Sequence, residues 1–181
     1  MNFEGKKLIR LELSQTLKPF DCDDSDLNSF FFDDCINYQK KLLAVTYIIE
    51  GDDSTVAFFS IFNDKISYKD VAKNPDASLW AKIKNTMPTG KQLGSYPAMK
   101  IGRLAVDKNH KGQQIGTIII DYLKNLFITN NRTGCKFITV DAYSDSLGFY
   151  EKNGFVYLTE KDKERDTRAM YYDLSLLSQS N

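Results

Sequence analysis

Between Ala98 and Leu126 the chain passes from an apolar strand, through a glycine-bearing turn, into a long amphipathic helix. This unit constrains the fold more than any other segment. Ala98 to Val106 reads as a strand and Asp107 to Gly112 as a loop. In the helix that follows, Ile115, Ile118 or Ile119, Tyr122 and Leu126 form one apolar stripe, with Asp121, Lys124 and Asn125 on the other face. Lys136 to Val140 then has the character of a buried strand. A strand–helix–strand unit within one sheet closes with a right-handed crossover and makes its two strands parallel.

The flanking segments complete one sheet. Lys7 to Leu13 alternates polar and apolar residues, as a half-buried strand does. Beyond Pro19, Asp21 to Asp26 offers caps for one or two short helices over 25–41, where Leu27, Phe30, Phe31 and Tyr38 recur at helical spacing. Ala44–Glu50 and Thr55–Phe62 are β-branched and aromatic, and Gly51-Asp52-Asp53-Ser54 between them reads as a hairpin turn. Residues 63–95, with a short helix around Leu79, Trp80 and Ile83, read as an insertion between core elements. Asp145 or Ser146 can cap a short helix that ends at Asn153-Gly154, where glycine supplies the left-handed C′ position. Phe155–Leu158 and Ala169–Leu174 are the last strands, joined by a charged loop, 160–168. The expected class is mixed α/β: a partly parallel central sheet of six to seven strands flanked by helices, in a single domain over 1–181.

Composition narrows the function. With 42% hydrophobic and 27% charged residues in 181, the chain is expected to bury a real core. No stretch approaches the roughly 20 apolar residues of a membrane helix. Met1 to Lys7 lacks the apolar core of a signal peptide, so a cytoplasmic protein without a membrane partner is expected. Cys22, Cys35 and Cys135 are odd in number and widely spaced, and His110 is the only histidine. That pattern suits neither a disulfide framework nor a metal site, and no metal is expected. Net charge is zero but uneven: residues 1–60 carry 11 acids against 6 bases, and residues 61–181 carry 13 acids against 18 bases. The balance gives no support for non-specific nucleic-acid binding, whereas the basic portion suits a small polyanion.

The turn into the long helix is where such an anion would sit. Lys111-Gly112-Gln113-Gln114-Ile115-Gly116-Thr117 opens that helix, and a helix N-terminus offers unpaired N–H groups and the positive end of a dipole. Gly112 and Gly116 let the backbone curl and a ligand approach. Lys108, Lys111 and Arg103 are expected to add positive charge. The glycine spacing fits neither the dinucleotide fingerprint nor a P-loop.

The run Lys100-Ile101-Gly102-Arg103-Leu104-Ala105-Val106, continued by Lys111 to Gly116, resembles motif A of the GNAT N-acetyltransferases, [Q/R]-x-x-G-x-[G/A]. Lys111 stands at the Q/R position, Gln114 at the first glycine and Gly116 at the last. A glutamine there is expected to avoid positive φ, leaving the loop slightly altered. Ser146-Leu147-Gly148-Phe149-Tyr150-Glu151-Lys152-Asn153-Gly154-Phe155 resembles motif B, A-x-x-[F/L]-Y-E-x-x-G-F, at the right distance from motif A. Near the N-terminus, Phe20-Asp21-Cys22 followed by Leu27-Asn28-Ser29-Phe30 is similar to a branch that includes toxins of bacterial toxin–antitoxin pairs.

The resemblance implies an acyltransferase whose donor is acetyl-CoA. It implies that backbone groups of Leu104, Ala105 and Val106 pair with the pantetheine arm, and that Lys111, Gly112, Gln113, Gln114, Ile115, Gly116 and Thr117 hold the pyrophosphate through their amides. It makes Tyr150 the general acid for the departing thiolate, a role open to a phenol that stays protonated at neutral pH. Phe149 is expected in the core. The base that deprotonates the amine stays open among Glu50, Asp107 and Asp141, and Tyr143 and Ser144 could line the same cleft. The acceptor is a small-molecule, peptide or protein amine; an aminoacyl-tRNA is the alternative that the toxin branch suggests. A non-catalytic acyl-CoA-binding module, motivated by Gln114, is the reading from another class. The protein is expected to be a monomer or homodimer.

Overall fold

The computed structural model describes residues 5–71, 78–85, 93–129 and 133–178. Strands β1 (Lys7–Arg10), β2 (Val45–Glu50), β3 (Thr55–Ser67), β4 (Ser95–Val106), β5 (Phe137–Tyr143), β6 (Val156–Tyr157) and β7 (Thr167–Asp173) form a seven-stranded sheet in the order β1-β2-β3-β4-β5-β7-β6. It is mostly antiparallel with one parallel pair. Helices α1 (Ser25–Ser29) and α2 (Cys35–Lys40) are joined by a π-helical stretch, Phe30–Asp34. They are followed by α3 (Tyr68–Val71), α4 (Ser78–Asn85), α5 (Ile115–Ile128), α6 (Leu147–Lys152) and α7 (Ser175–Ser178). No described helix is long and apolar enough to cross a membrane.

Two compact units make up the chain. One comprises 1–63 and 101–125, the other 64–100 and 126–181, so β3 and β4 each contribute to both.

In the first unit β1 pairs with β2 and β2 with β3, both antiparallel, with a register shift at Ile49/Glu50. Successive residues of a strand face opposite ways, and β3 uses both sides. Phe58, fully buried, lies 4.8 Å from Phe31 and 5.3 Å from Phe20 between ring centroids, which packs the segment 20–31 on one face. Its neighbour Phe59 faces the other way, stacks on its register partner Tyr47 at 5.2 Å, and meets Tyr122 of α5 at 6.1 Å. The expected α5 stripe is therefore present, though its fully sealed positions are Ile119, Ile120 and Leu123. Leu126, expected in the stripe, falls in the second unit.

In the second unit β5 pairs with β7 from Phe137↔Asp173 to Tyr143↔Thr167, and β6 adds to β7. Ile66, Val71, Leu79, Ile83, Tyr96, Ala98, Phe137, Leu158 and Tyr171 form its core. The stretch 63–95, expected as an insertion, thus supplies core: β3 runs on to Ser67, and α4 carries the anticipated Leu79 and Ile83. Periodicity missed the β3 extension because Asn63-Asp64-Lys65 is a polar run within a strand.

Cys22 and Cys35 are buried, Cys135 is half-buried, and all three are free thiols. Burial pushes the Cys35 and Cys135 thiols up to about 11, so they stay protonated and unreactive. Cys35 Sγ donates to Phe31 O at 2.9 Å, inside the π-helical stretch.

Candidate active site

The loop between β4 and α5 is built from the end of β4 outward. Asp107, 5% exposed, turns the chain: its carboxylate accepts from Asn109 N (2.9 Å), Asn109 Nδ2 (3.0 Å) and Asp21 N (3.0 Å). Its own N–H reaches Val56 O at 2.9 Å. Burial alone would raise this carboxyl, but the amides that bond it outweigh burial and hold it below the usual range. Asp107 is therefore a capping residue, occupied by the turn it holds.

Lys111, Gly112, Gln113 and Gln114 follow, all exposed, and α5 begins at Ile115. Gly112 adopts φ +80°. Gln114 adopts φ +58°, against the expectation that glutamine would avoid the left-handed region. The turn into α5 requires that conformation, and the helix bond from Ile118 N to Gln114 O at 3.0 Å locks it in. A side chain held there costs about 1–2 kcal/mol, which the surrounding fold supplies. Gln114 thus adopts the left-handed conformation that a glycine would take there without strain. Ile115 is 7% exposed and anchors the first turn, with Gly116 and Thr117 half-buried beside it. The first N–H groups of α5 have no partner within the helix and remain available to an anion.

The cations expected to reinforce this loop are not free. Lys108 Nζ lies 2.7 Å from Asp21, Lys111 Nζ lies 2.9 Å from Asp23, and Arg103 Nη2 lies 3.5 Å from Asp26. Arg103 also covers the Phe30 ring at 5.0 Å, and its Nε is sealed without a hydrogen-bond partner. An anion at this loop would therefore meet backbone N–H groups rather than unpaired side-chain cations. Sequence distance hides this pairing: the partners are 77 to 88 residues apart.

On β4, Ala105 is buried while Leu104 and Val106 are half-buried. Ala105 packs with Phe30, Phe31 and Phe58. The strand is also crowded at Gly102, where a Cβ would lie 2.0 Å from the Phe62 ring. Only glycine fits beneath that ring.

The second element of chemistry lies in the other unit, on α6. Tyr150 is 6% exposed and is wedged edge-on between Phe149 at 5.0 Å and Phe155 at 5.3 Å. Phe149, expected in the core, is only half-buried, so the tyrosine is the interior member of the pair. Helix α6 stops as anticipated: Asn153 N and Phe155 N both bond Tyr150 O, and Gly154 adopts φ +81°. Ser146 stands at the N-cap without a side-chain cap bond, contrary to the capping role expected of it. Burial pushes the Tyr150 phenol far above the usual tyrosine range. No hydrogen bond ties its hydroxyl to the described residues. It is a neutral, desolvated O–H donor.

The remaining candidate bases are partnered. Glu50 accepts from Gln15 Nε2 at 3.1 Å and lies 3.6 Å from Lys18 Nζ. Asp141 is ion-paired with Lys100. Tyr143 is exposed, and Ser144 Oγ donates to Asp166 O at 3.3 Å. The sequence had not singled out Asp64, half-buried on β3, which accepts from the buried Thr139 hydroxyl on β5. It was missed because the bond joins residues 75 apart. Among the described residues no group of three or more His, Cys, Asp or Glu could hold a metal ion.

Residues 44–157 match the family of the acetyltransferase (GNAT) domain. Among solved structures, a Tyr-to-Phe mutant of KacT is 17% identical, aligns over 97% of this chain and 99% of its own, and superposes with a TM-score of 0.77. AtaT complexed with acetyl-methionyl-tRNAfMet is 16% identical over 96% of this chain and 98% of its own, TM-score 0.76. AtaTR bound with AcCoA is 18% identical over 96% of each chain, TM-score 0.74. At these identities the likeness concerns the fold.

Proposed function

This chain belongs to the GNAT acetyltransferase family, with acetyl-CoA as its acyl donor, and on that premise we propose the α-amino group of an aminoacyl-tRNA as its acceptor. The observation that carries the acceptor is the charge of residues 64–100: seven lysines against three aspartates, in a protein of zero net charge. Such a surplus suits a polyanionic partner and would make binding steeply salt-dependent. The full-length likeness to AtaT, which has been captured with an acetylated methionyl-tRNA, supports the same reading.

Acetyl-CoA, when bound, supplies an activated acetyl thioester. In our reading the N–H groups of 112–117 bond the pyrophosphate, and the backbone of Leu104, Ala105 and Val106 pairs with the pantetheine arm. As the amine nitrogen bonds the acetyl carbon and the carbon–sulfur bond breaks, Tyr150 gives its proton to the sulfur, and the proton that the nitrogen sheds on becoming an amide returns to the phenolate. Burial keeps that phenol protonated to high pH, so its proton is in place when the thiolate leaves, while the same shift makes it a weaker acid than an ordinary tyrosine. The amine arrives unprotonated, having given its proton to a carboxylate or to water.

The test is to supply isotope-labelled acetyl-CoA and the protein to a mixture of aminoacyl-tRNAs, free amino acids, peptides and polyamines. Mass spectrometry of the products should find the label on aminoacyl ends. Label confined to free amines or to protein lysines would sink the acceptor assignment and leave the donor standing.

A further inference from the structure

The first 60 residues hold 11 acids, and three of them stand against the three cations around the donor loop. Their settings differ. Asp21 is part of the frame: its carboxylate accepts from Asp23 N (2.9 Å) and Asn28 Nδ2 (2.9 Å), and its carbonyl accepts from Lys108 N at 2.8 Å. Asp23 is not built in this way. Its side chain is 56% exposed and, among the described residues, its carboxylate meets only cations, Lys111 at 2.9 Å and Lys108 at 3.9 Å. Its backbone is held at φ +67°, a conformation that aspartate and asparagine adopt more readily than most residues.

An ion pair this exposed contributes little to stability. Its effect falls instead on whatever else would use Lys111, the residue that opens the loop. The loop's backbone attracts an anion, and the nearest side-chain cation already has one.

We infer that Asp23 is a built-in competitor for the donor phosphates, holding Lys111 and so setting a weaker affinity for acetyl-CoA than the loop alone would give. Binding then exchanges the carboxylate for a phosphate oxygen at Lys111 and leaves the Asp23 charge beside the pyrophosphate. The consequence is faster donor exchange and easier release of spent CoA. This rests on the reading of 111–117 as the donor site.

The experiment is calorimetric titration of acetyl-CoA into the wild type, Asp23→Asn and Asp34→Asn, each at low and high salt. Asparagine keeps the shape and the left-handed backbone, and thermal melting of each variant checks the fold. Asp34 is an exposed acid in the π-helical stretch, and its substitution makes the same change in net charge. Asp23→Asn should tighten acetyl-CoA about three- to fivefold at low salt, with the gain fading as salt screens the exposed charges. Asp34→Asn should change it by less than about half that amount. Unchanged or weaker binding by a normally melting Asp23→Asn overturns the inference, as does an equal gain from Asp34→Asn. If neither the wild type nor Asp23→Asn binds acetyl-CoA, the donor-site reading itself falls and this inference with it.

Discussion

In the proposed function, the loop at 107–117 and the helix at 147–152 serve by opposite means. The loop would work through its backbone. Its side chains at 111–114 are exposed, its cations are paired with acids, and its left-handed turn survives with glutamine at the motif glycine. The helix would work through one side chain, and there the motif letters Phe149-Tyr150-Glu151 and Gly154-Phe155 are all present, with Tyr150 packed against aromatic rings. A function carried by amides tolerates substitution wherever the backbone can follow, whereas one carried by a hydroxyl does not.

The largest effect should come from Tyr150→Phe. Removing a general acid costs about 10²–10³-fold in turnover, and thiol release from acetyl-CoA at saturating acceptor should register it. Phenylalanine keeps the ring contacts, so the melting temperature should hold. A loss of less than about threefold would mean that another group, or water, protonates the sulfur.

The pH profile sharpens the same point. Burial raises the Tyr150 pKa, and the acid form is the active one, so activity is lost only as pH climbs through the raised value. Turnover by the wild type should show no falling alkaline limb below about pH 10, the ordinary tyrosine pKa. A limb near neutrality would indicate a different acid.

Two of the left-handed positions, Gly154 and Gln114, should respond with opposite signs. At Gly154 (φ +81°) an added Cβ would lie 3.1 Å from the Tyr172 ring, so Gly154→Ala combines backbone strain with a close contact. It should cost about 1–2 kcal/mol in urea unfolding and lower turnover by disturbing the end of α6. Gln114→Gly, at φ +58°, should instead stabilise by about 0.5–1 kcal/mol, since relieved strain exceeds the added chain entropy. Destabilisation by Gln114→Gly would show that the glutamine side chain, and not only the backbone, matters there.

Much of this was legible in the sequence, for physical reasons that can be traced. Strand–loop–helix order around 98–126 pointed to the parallel pair, and short-range patterns found the 45–61 hairpin and the Gly154 stop. What pattern reading missed depends on contacts between distant residues. It counted Lys108 and Lys111 as free charge because nothing local reveals Asp21 and Asp23 beside them. It read 63–95 as an insertion, and the polar run in β3 hid that Ile66 of that stretch belongs to the core. It placed Phe149 inside and left Tyr150 unranked for burial, because helical phase in a six-residue helix is set by tertiary packing. It expected Gln114 to avoid positive φ from intrinsic preference, and the helix start overrode that preference.

One measurement bears most directly on the division of labour between amides and hydroxyl. Acetyl-CoA is titrated into Tyr150→Phe in a calorimeter, and the same sample is then assayed for acceptor-dependent thiol release. Donor affinity within about twofold of the wild type, together with turnover reduced about 10²–10³-fold, is the predicted result. Donor binding lost along with turnover, or turnover retained, would contradict it.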